Sequence, residues 1–242
     1  AILVPTTSNQ RNYKSLEDSD LYSKWLKSFL TTYDSEHQYT IYLGIDDNDI
    51  FFNDIEIQNK LTKFISIMKN VNIKIHNFDK TYKGNVVGIW NQLFKIAYND
   101  NNDYFHQTGD DVIYLQTKWV NECIRVLTGN SDMGVVGHTD KGRRYFNPFD
   151  DLITQSFVSR LHMEIFNFYF APEILNWGCD NFIGDIYQKH NMKFIISHEI
   201  INTGGEPRYE IDLAHNDKLI FCMNKYKNYI KNYINKKYTY YK

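Results

Sequence analysis

Tyr104-Phe105-His106-Gln107-Thr108-Gly109-Asp110-Asp111 is the stretch from which the fold is read. Its first half, Tyr104 to Gln107, has the aromatic-rich character of a short buried strand, and its second half is a polar turn that ends in two adjacent carboxylates. Two such groups after a buried strand repel each other unless a cation or a network of donors offsets their charge. Oxygen-only ligands of this kind suit Mg²⁺ or Mn²⁺, which take a few protein carboxylates and complete their shell with phosphate oxygens and water. The implied substrate therefore carries phosphate.

Outward from this turn, strand and helix patterns alternate. Ile2 to Val4 is a short apolar run stopped by Pro5, and Ser15-Leu16-Glu17-Asp18 has the form of a capping box before Tyr22, Trp25, Leu26, Phe29 and Leu30 at helical spacing. Tyr39 to Ile45 reads as a second strand, Ile57, Leu61, Phe64, Ile65 and Met68 mark a helix, and Asn72 to Phe78 reads as a third strand. Val86, Ile89, Trp90, Leu93, Phe94 and Ala97 form the next apolar face. After Gly109-Asp110-Asp111 come a helix over Trp119 to Leu127 and a short strand over Gly134 to Gly137. This alternation predicts an α/β domain with a mostly parallel central sheet and helices on both faces. In such sheets ligands bind beyond the carboxyl ends of the strands. Three polar clusters fall at those ends: Pro5 to Arg11, Asp46-Asp47-Asn48-Asp49, and Gly109-Asp110-Asp111.

Composition bounds the rest. With 242 residues, 43% of them hydrophobic, and 27 Lys+Arg against 29 Asp+Glu, the chain can bury a core, and one domain is expected. A net charge of −2 gives no global electrostatic case for nucleic acid or membrane binding. Cys123, Cys179 and Cys222 are few and widely spaced, which argues against a disulfide scaffold and for a reducing, cytoplasmic setting. No apolar run reaches the ~18 residues of a membrane span, so the chain reads as soluble; an upstream anchor or further domains are left open. The glycine-rich loops of dehydrogenases and P-loop proteins are missing. Pro5-Thr6-Thr7-Ser8-Asn9 also lacks the glycines and lysine of a nucleotidyltransferase loop.

A Pro-Thr start after the first strand, an acidic turn after the second and an Asp-Asp after the fourth together resemble a GT-A-fold glycosyltransferase over about residues 2–215. The resemblance implies that Asp111 binds a Mn²⁺ or Mg²⁺ ion and that Asp110 contacts the ribose or metal-bound water. It further implies that Pro5, Thr6, Thr7, Asn9, Arg11, Asp46 and Asp47 form the nucleoside pocket, with Lys83, Asn85 and Asn91 leading beneath the donor. In Asn176-Trp177-Gly178-Cys179-Asp180-Asn181, Asp180 resembles the base of inverting members, although Cys179 stands where a Glu is usual; the plain alternative is a helix N-cap. His198 resembles a second metal ligand, or is a structural histidine. Arg143 and Arg144 in Thr139 to Arg144 read either as a lid over the diphosphate or as a solvated basic loop. Gly204-Gly205-Glu206-Pro207-Arg208 would close the acceptor side. Trp177, Tyr169 and Phe170 either stack on a sugar ring or belong to the core.

The expected activity is metal-dependent transfer of a sugar from a nucleoside-diphosphate sugar, UDP-sugar favoured, to a hydroxyl of a glycan or protein-linked glycan, with inversion. The alternatives are a non-catalytic nucleotide-sugar or carbohydrate-binding module and a nucleotidyltransferase. The domain divides into a nucleotide half, about 1–115, an acceptor half, about 116–215, and an amphipathic basic helix, about 216–237. That helix packs on the domain, joins a following domain, or touches an anionic membrane; packing is the preferred reading.

Overall fold

The computed structural model describes residues 1–204 and 208–239. Among them, an eight-stranded sheet runs in the order β3-β2-β1-β4-β7-β6-β8-β5. The strands are β1 Ile2–Thr6, β2 Tyr39–Asp46, β3 Val71–Phe78, β4 Tyr104–Gln107, β5 Val112–Tyr114, β6 Val135–Asp140, β7 Ser156–Ser159 and β8 Lys193–Asn202. From β3 to β4 every pairing is parallel, as read from the sequence. Beyond β4 the sheet becomes mixed, because β7 runs antiparallel to both β4 and β6, and β5 runs antiparallel to β8. The chain thus forms a single α/β domain with helices on both faces.

β1 does not stop at Pro5 but continues to Thr6. The reason lies in the register: Thr108 N–H donates to the Leu3 carbonyl, so Leu3 and, two residues on, Pro5 face β4, whose ladder ends at Leu3. The amide hydrogen that proline lacks has no partner to lose there.

Each strand sends alternate side chains to opposite faces. Leu3, Tyr42, Phe105 and Val158 meet α3 (Val86–Asn99), α6 (Leu161–Phe166) and α7 (Cys179–Gln188) on one side. Ile2, Val4, Ile41 and Leu43 meet α1 (Lys27–Thr32), α2 (Ile55–Ile65) and α4 (Trp119–Thr128) on the other. Instead of one basic helix near the carboxy terminus there are two, α8 (His215–Tyr226) and α9 (Tyr229–Thr239). Cys222, Tyr226 and Ile230 are buried in the same cluster as α7, so this segment packs on the domain. No helix among the described residues is long and apolar enough to cross a membrane. All three cysteines are free and buried.

Candidate functional site

β1 and β4 lie side by side, and their carboxyl ends bring Thr6 to Asp110. The Thr6 hydroxyl donates to Asp110 Oδ2 at 2.6 Å, and Arg208 Nη1 donates to the same oxygen at 2.6 Å. Arg208 Nη2 reaches Asp20 Oδ2 at 3.1 Å, and Lys24 Nζ lies 2.7 Å from Asp20 Oδ1. Burial works against the Asp20 charge, but Lys24, the Tyr13 hydroxyl and Arg208 more than offset it and hold this carboxyl below the usual range. Asp110 is therefore neutralised by the protein itself.

Asp111 is not. Burial first, and the neighbouring Asp110 charge second, push its carboxyl up to about 6, with Arg208 opposing. Its orientation depends on Gly109: a Cβ there would lie 2.7 Å from Asp111 Oδ1, so only glycine leaves room for the carboxylate to fold back over the turn. The buried Gln155 holds that turn, accepting from Gly109 N–H at 2.8 Å.

The loop after β1 is organised by Asp49, a buried member of the second acidic cluster that sequence reasoning did not single out. Asp49 accepts from the Thr7 hydroxyl at 3.1 Å, the Ser8 hydroxyl at 2.9 Å and Phe52 N–H at 2.8 Å, and also from Ser8 N–H. Asp46 lies beside Thr7, and burial together with the Asp49 charge raises its pKa. Asp47 is exposed. Asn9 donates to the Arg208 carbonyl at 2.6 Å, and Arg11 Nε lies 3.7 Å from Asp20. A 450 Å³ hollow flanks this loop, lined by residues that include Ser8, Arg11, Tyr13 and Phe51.

Of the three residues expected beneath the donor, two have other engagements. Asn85 caps α3, accepting from Gly88 N–H at 2.8 Å. Asn91 accepts from the amides of Tyr169 and Phe170 and donates to the Phe170 carbonyl, each at 2.9 Å, so its side chain ties α3 to the following loop. Lys83 is exposed. Tyr169 and Phe170 are fully buried core residues and offer no face to a sugar, whereas Trp177 is 47% exposed.

A second centre forms around Asp180 in the first turn of α7. The N-cap of that helix is Gly178, at φ +91°, so Asp180 is not a cap. Burial pushes the Asp180 carboxyl up to about 7, against the opposing influence of the Cys179 thiol at 3.6 Å and of Arg143. Asp180 lines a 260 Å³ pocket. Arg143, on α5 (Lys141–Phe146), is paired bidentately with Asp150 at 3.0 and 2.9 Å, and Arg144 Nε donates to the Asp150 carbonyl at 3.3 Å. The two arginines thus hold the wall of the Asp180 pocket. The phenol of Tyr209 lies within electrostatic reach of Asp180, Asp111 and Arg208, and burial raises its pKa. Asn176, also buried, fixes this junction by donating to the carbonyls of Gly84 and Glu210 at 3.0 and 3.1 Å.

Two expectations need correcting. His198 does not join Asp111: Asn202 pairs with Val112, and His198 lies four residues back along β8, about 13 Å at the usual strand rise. It sits at a bulge in the β6–β8 ladder, within electrostatic reach of His138 and Glu122. Arg208, expected to close the acceptor side, instead bonds to Asp110 near the carboxyl ends of β1 and β4; Gly205, Glu206 and Pro207 of the same turn lie outside the described residues. Among the described residues, no group of three or more His, Cys, Asp or Glu is placed to hold a metal ion. An ion at Asp111 would have one protein carboxylate and would depend on substrate oxygens and water for the rest of its shell.

No protein-family model matches the chain, and neither does any curated protein. Solved structures do. Residues 1–349 of TarS from S. aureus superpose with a TM-score of 0.54 at 13% identity, over 81% of this chain and 57% of that one. The same fragment in complex with UDP gives 0.52 at 10% identity, with the same coverage. TarS itself gives 0.57 at 11% identity, over 94% of this chain and 43% of that one. The chain thus spans little more than half the length of the TarS fragment. These likenesses show the fold, which is GT-A-like.

Proposed function

We propose that the chain is a metal-dependent glycosyltransferase that moves a sugar from a nucleoside-diphosphate sugar, with UDP as the favoured nucleotide, to an acceptor hydroxyl with inversion. The observation that carries this reading is the pair of separate carboxylates without an ion-pair partner among the described residues on a GT-A-like fold, Asp111 raised to about 6 and Asp180, on the wall of its own pocket, to about 7. A binding module has no need of the second. In support of the donor, a TarS structure holds UDP. The Thr6 to Arg11 loop, Asp46 and the 450 Å³ hollow supply room and polar groups for a nucleoside.

Asp111 would hold the Mn²⁺ or Mg²⁺, and Asp110, already neutralised by Arg208, would orient the turn. What a bound Mn²⁺ or Mg²⁺ supplies is positive charge against the leaving diphosphate. Arg208, kept cationic by Asp110 despite its burial, holds the turn that carries Asp111. Asp180 takes the proton from the acceptor hydroxyl. The base and the leaving group then lie on opposite faces of the anomeric carbon, and direct displacement inverts it.

The test is incubation with UDP-sugars, Mn²⁺ and mixed acceptors. Free UDP supports glycosyl transfer, pyrophosphate would assign a nucleotidyltransferase, and UDP-sugar binding without turnover would assign a binding module. Two variants probe the donor half by calorimetric titration of UDP. Asp111→Asn weakens Mn²⁺-dependent UDP binding by roughly 100-fold, because a neutral amide cannot offset the ion's charge. Gly109→Ala weakens it by roughly tenfold while leaving the melting temperature close to wild type, because the added methyl meets only the mobile end of Asp111. Equal binding by wild type and both variants would overturn the assignment.

A further inference from the structure

The end of α5 and the turn that follows it carry three aromatic rings in water: Tyr145 is 83% exposed, Phe146 86% and Phe149 91%. Isolated exposed rings are ordinary, but a cluster at the rim of a pocket marks a contact surface. Here the pocket is the one containing Asp180, and Phe149 and Asn147 line it from the α5 side. From the α7 side come Asp180, Asn181 and Asp185, with Gly184 leaving room for the Lys193 side chain to pack against it. The α5 wall is held in place by Arg143 on Asp150, and β8 is tied to it by Lys193 Nζ on Asp151 at 2.9 Å.

Those two ion pairs consume both cations of the pocket. Asp150 and Asp151 are thereby neutralised, while neither Asp180 nor Asp185 makes an ion pair among the described residues. The pocket left behind offers carboxylate and amide oxygens as hydrogen-bond acceptors, amide N–H donors from Asn147 and Asn181, and the aromatic ring of Phe149. A phosphate, sulfate or carboxylate entering it would meet like charge in a partly desolvated space. A sugar ring has the complementary surface: hydroxyls that donate to carboxylates around its edge, and a C–H face that lies on an aromatic ring.

We propose that this pocket is the acceptor subsite and that it takes an uncharged sugar, whose ring rests on Phe149 and whose hydroxyls bond to Asp185, Asn147 and Asn181. The proposal rests on the reading of Asp180 as the base and deepens it by naming the acceptor's chemistry. The selectivity comes from charge already spent within the wall, and an anionic acceptor has no free cation to meet.

Saturation-transfer NMR of the full chain, with UDP and Mn²⁺ present, tests this with a panel of methyl glycosides and short neutral oligosaccharides. The uronic-acid and sulfated counterparts of the same sugars are run alongside. At least one uncharged member should bind, its anionic counterpart at least roughly tenfold more weakly, and Phe149→Ala should weaken the uncharged member by a similar factor. Asp185→Asn should narrow the gap between neutral and anionic members. Phe149 is 91% exposed, so its replacement leaves the fold intact, which the melting temperature verifies. No binding by any uncharged member, equal or better binding by the anionic counterparts, or indifference to Phe149→Ala would each overturn the proposal. UDP binding in the same samples separates the two readings: UDP bound without any glycan removes only the acceptor inference, and absence of UDP binding removes the donor reading.

Discussion

Asp180→Asn lowers turnover by roughly 10²- to 10⁴-fold while leaving the affinity for UDP nearly unchanged, because a general base acts in the transition state and makes no contact with the nucleotide. The wild-type pH profile carries the same signature. The Asp180 carboxyl is raised to about 7, and only its ionised form takes a proton, so kcat/KM should climb tenfold per pH unit below about 7 and level off above it. The variant should lose that rise. Stability moves the opposite way. A carboxyl whose folded pKa exceeds its unfolded value contributes its stability in full below the unfolded value and loses it as the pH rises through the folded one. Asp180→Asn should therefore melt higher than wild type above pH about 7 and almost identically near pH 4. A cap would show neither effect, and the N-cap position belongs to Gly178. Full turnover in the variant, measured as UDP released in the presence of acceptor, would refute the base assignment.

That Asp180 was legible in the sequence at all follows from its placement: it lies at the start of a strongly patterned helix, where a carboxylate has either a capping or a chemical task. The Asp110-Asp111 turn was legible for a similar reason, since it directly follows a buried strand. Asp49 and Tyr209 were not, because their importance comes from contacts across the fold, 41 or 42 residues away for Asp49 on Ser8 and Thr7. His198 was misplaced because the bulge in β8 and the antiparallel pairing with β5 are properties of partner strands. β5 and β7 escaped notice on length alone, at three and four residues. Asn91 shows the converse: next to Trp90 it has the look of a ligand contact, and among the described residues every bond its amide makes goes to the backbone of Tyr169 and Phe170.

Arg208→Met destabilises the fold by about 3 kcal/mol near neutral pH, since breaking a buried ion pair from one side leaves the other charge desolvated and alone. The side chains of Arg208, Asp110 and Asp20 are 12%, 6% and 14% exposed, so little water is available to replace the guanidinium. Asp20 retains Lys24, Arg11 and the Tyr13 hydroxyl, and among the described residues Asp110 retains only the Thr6 hydroxyl, so the larger share of the penalty falls on Asp110. Its neighbour Asp111 loses the same opposing charge, and its pKa should climb further above about 6. The sign with pH follows. Carboxyls whose folded pKa values have been raised lose stability as the pH rises, so the gap between variant and wild type should be largest at pH 8 and should shrink toward pH 4. A solvent-exposed pair would behave differently, with a loss of less than about 1 kcal/mol that salt screens away. Denaturant melts of the two proteins at pH 4 and pH 8 distinguish these outcomes: a small, salt-sensitive and pH-independent difference would show that Arg208 is ornamental to the Asp110 turn. A large difference confined to the higher pH would make it the group on which the ionised state of that turn depends.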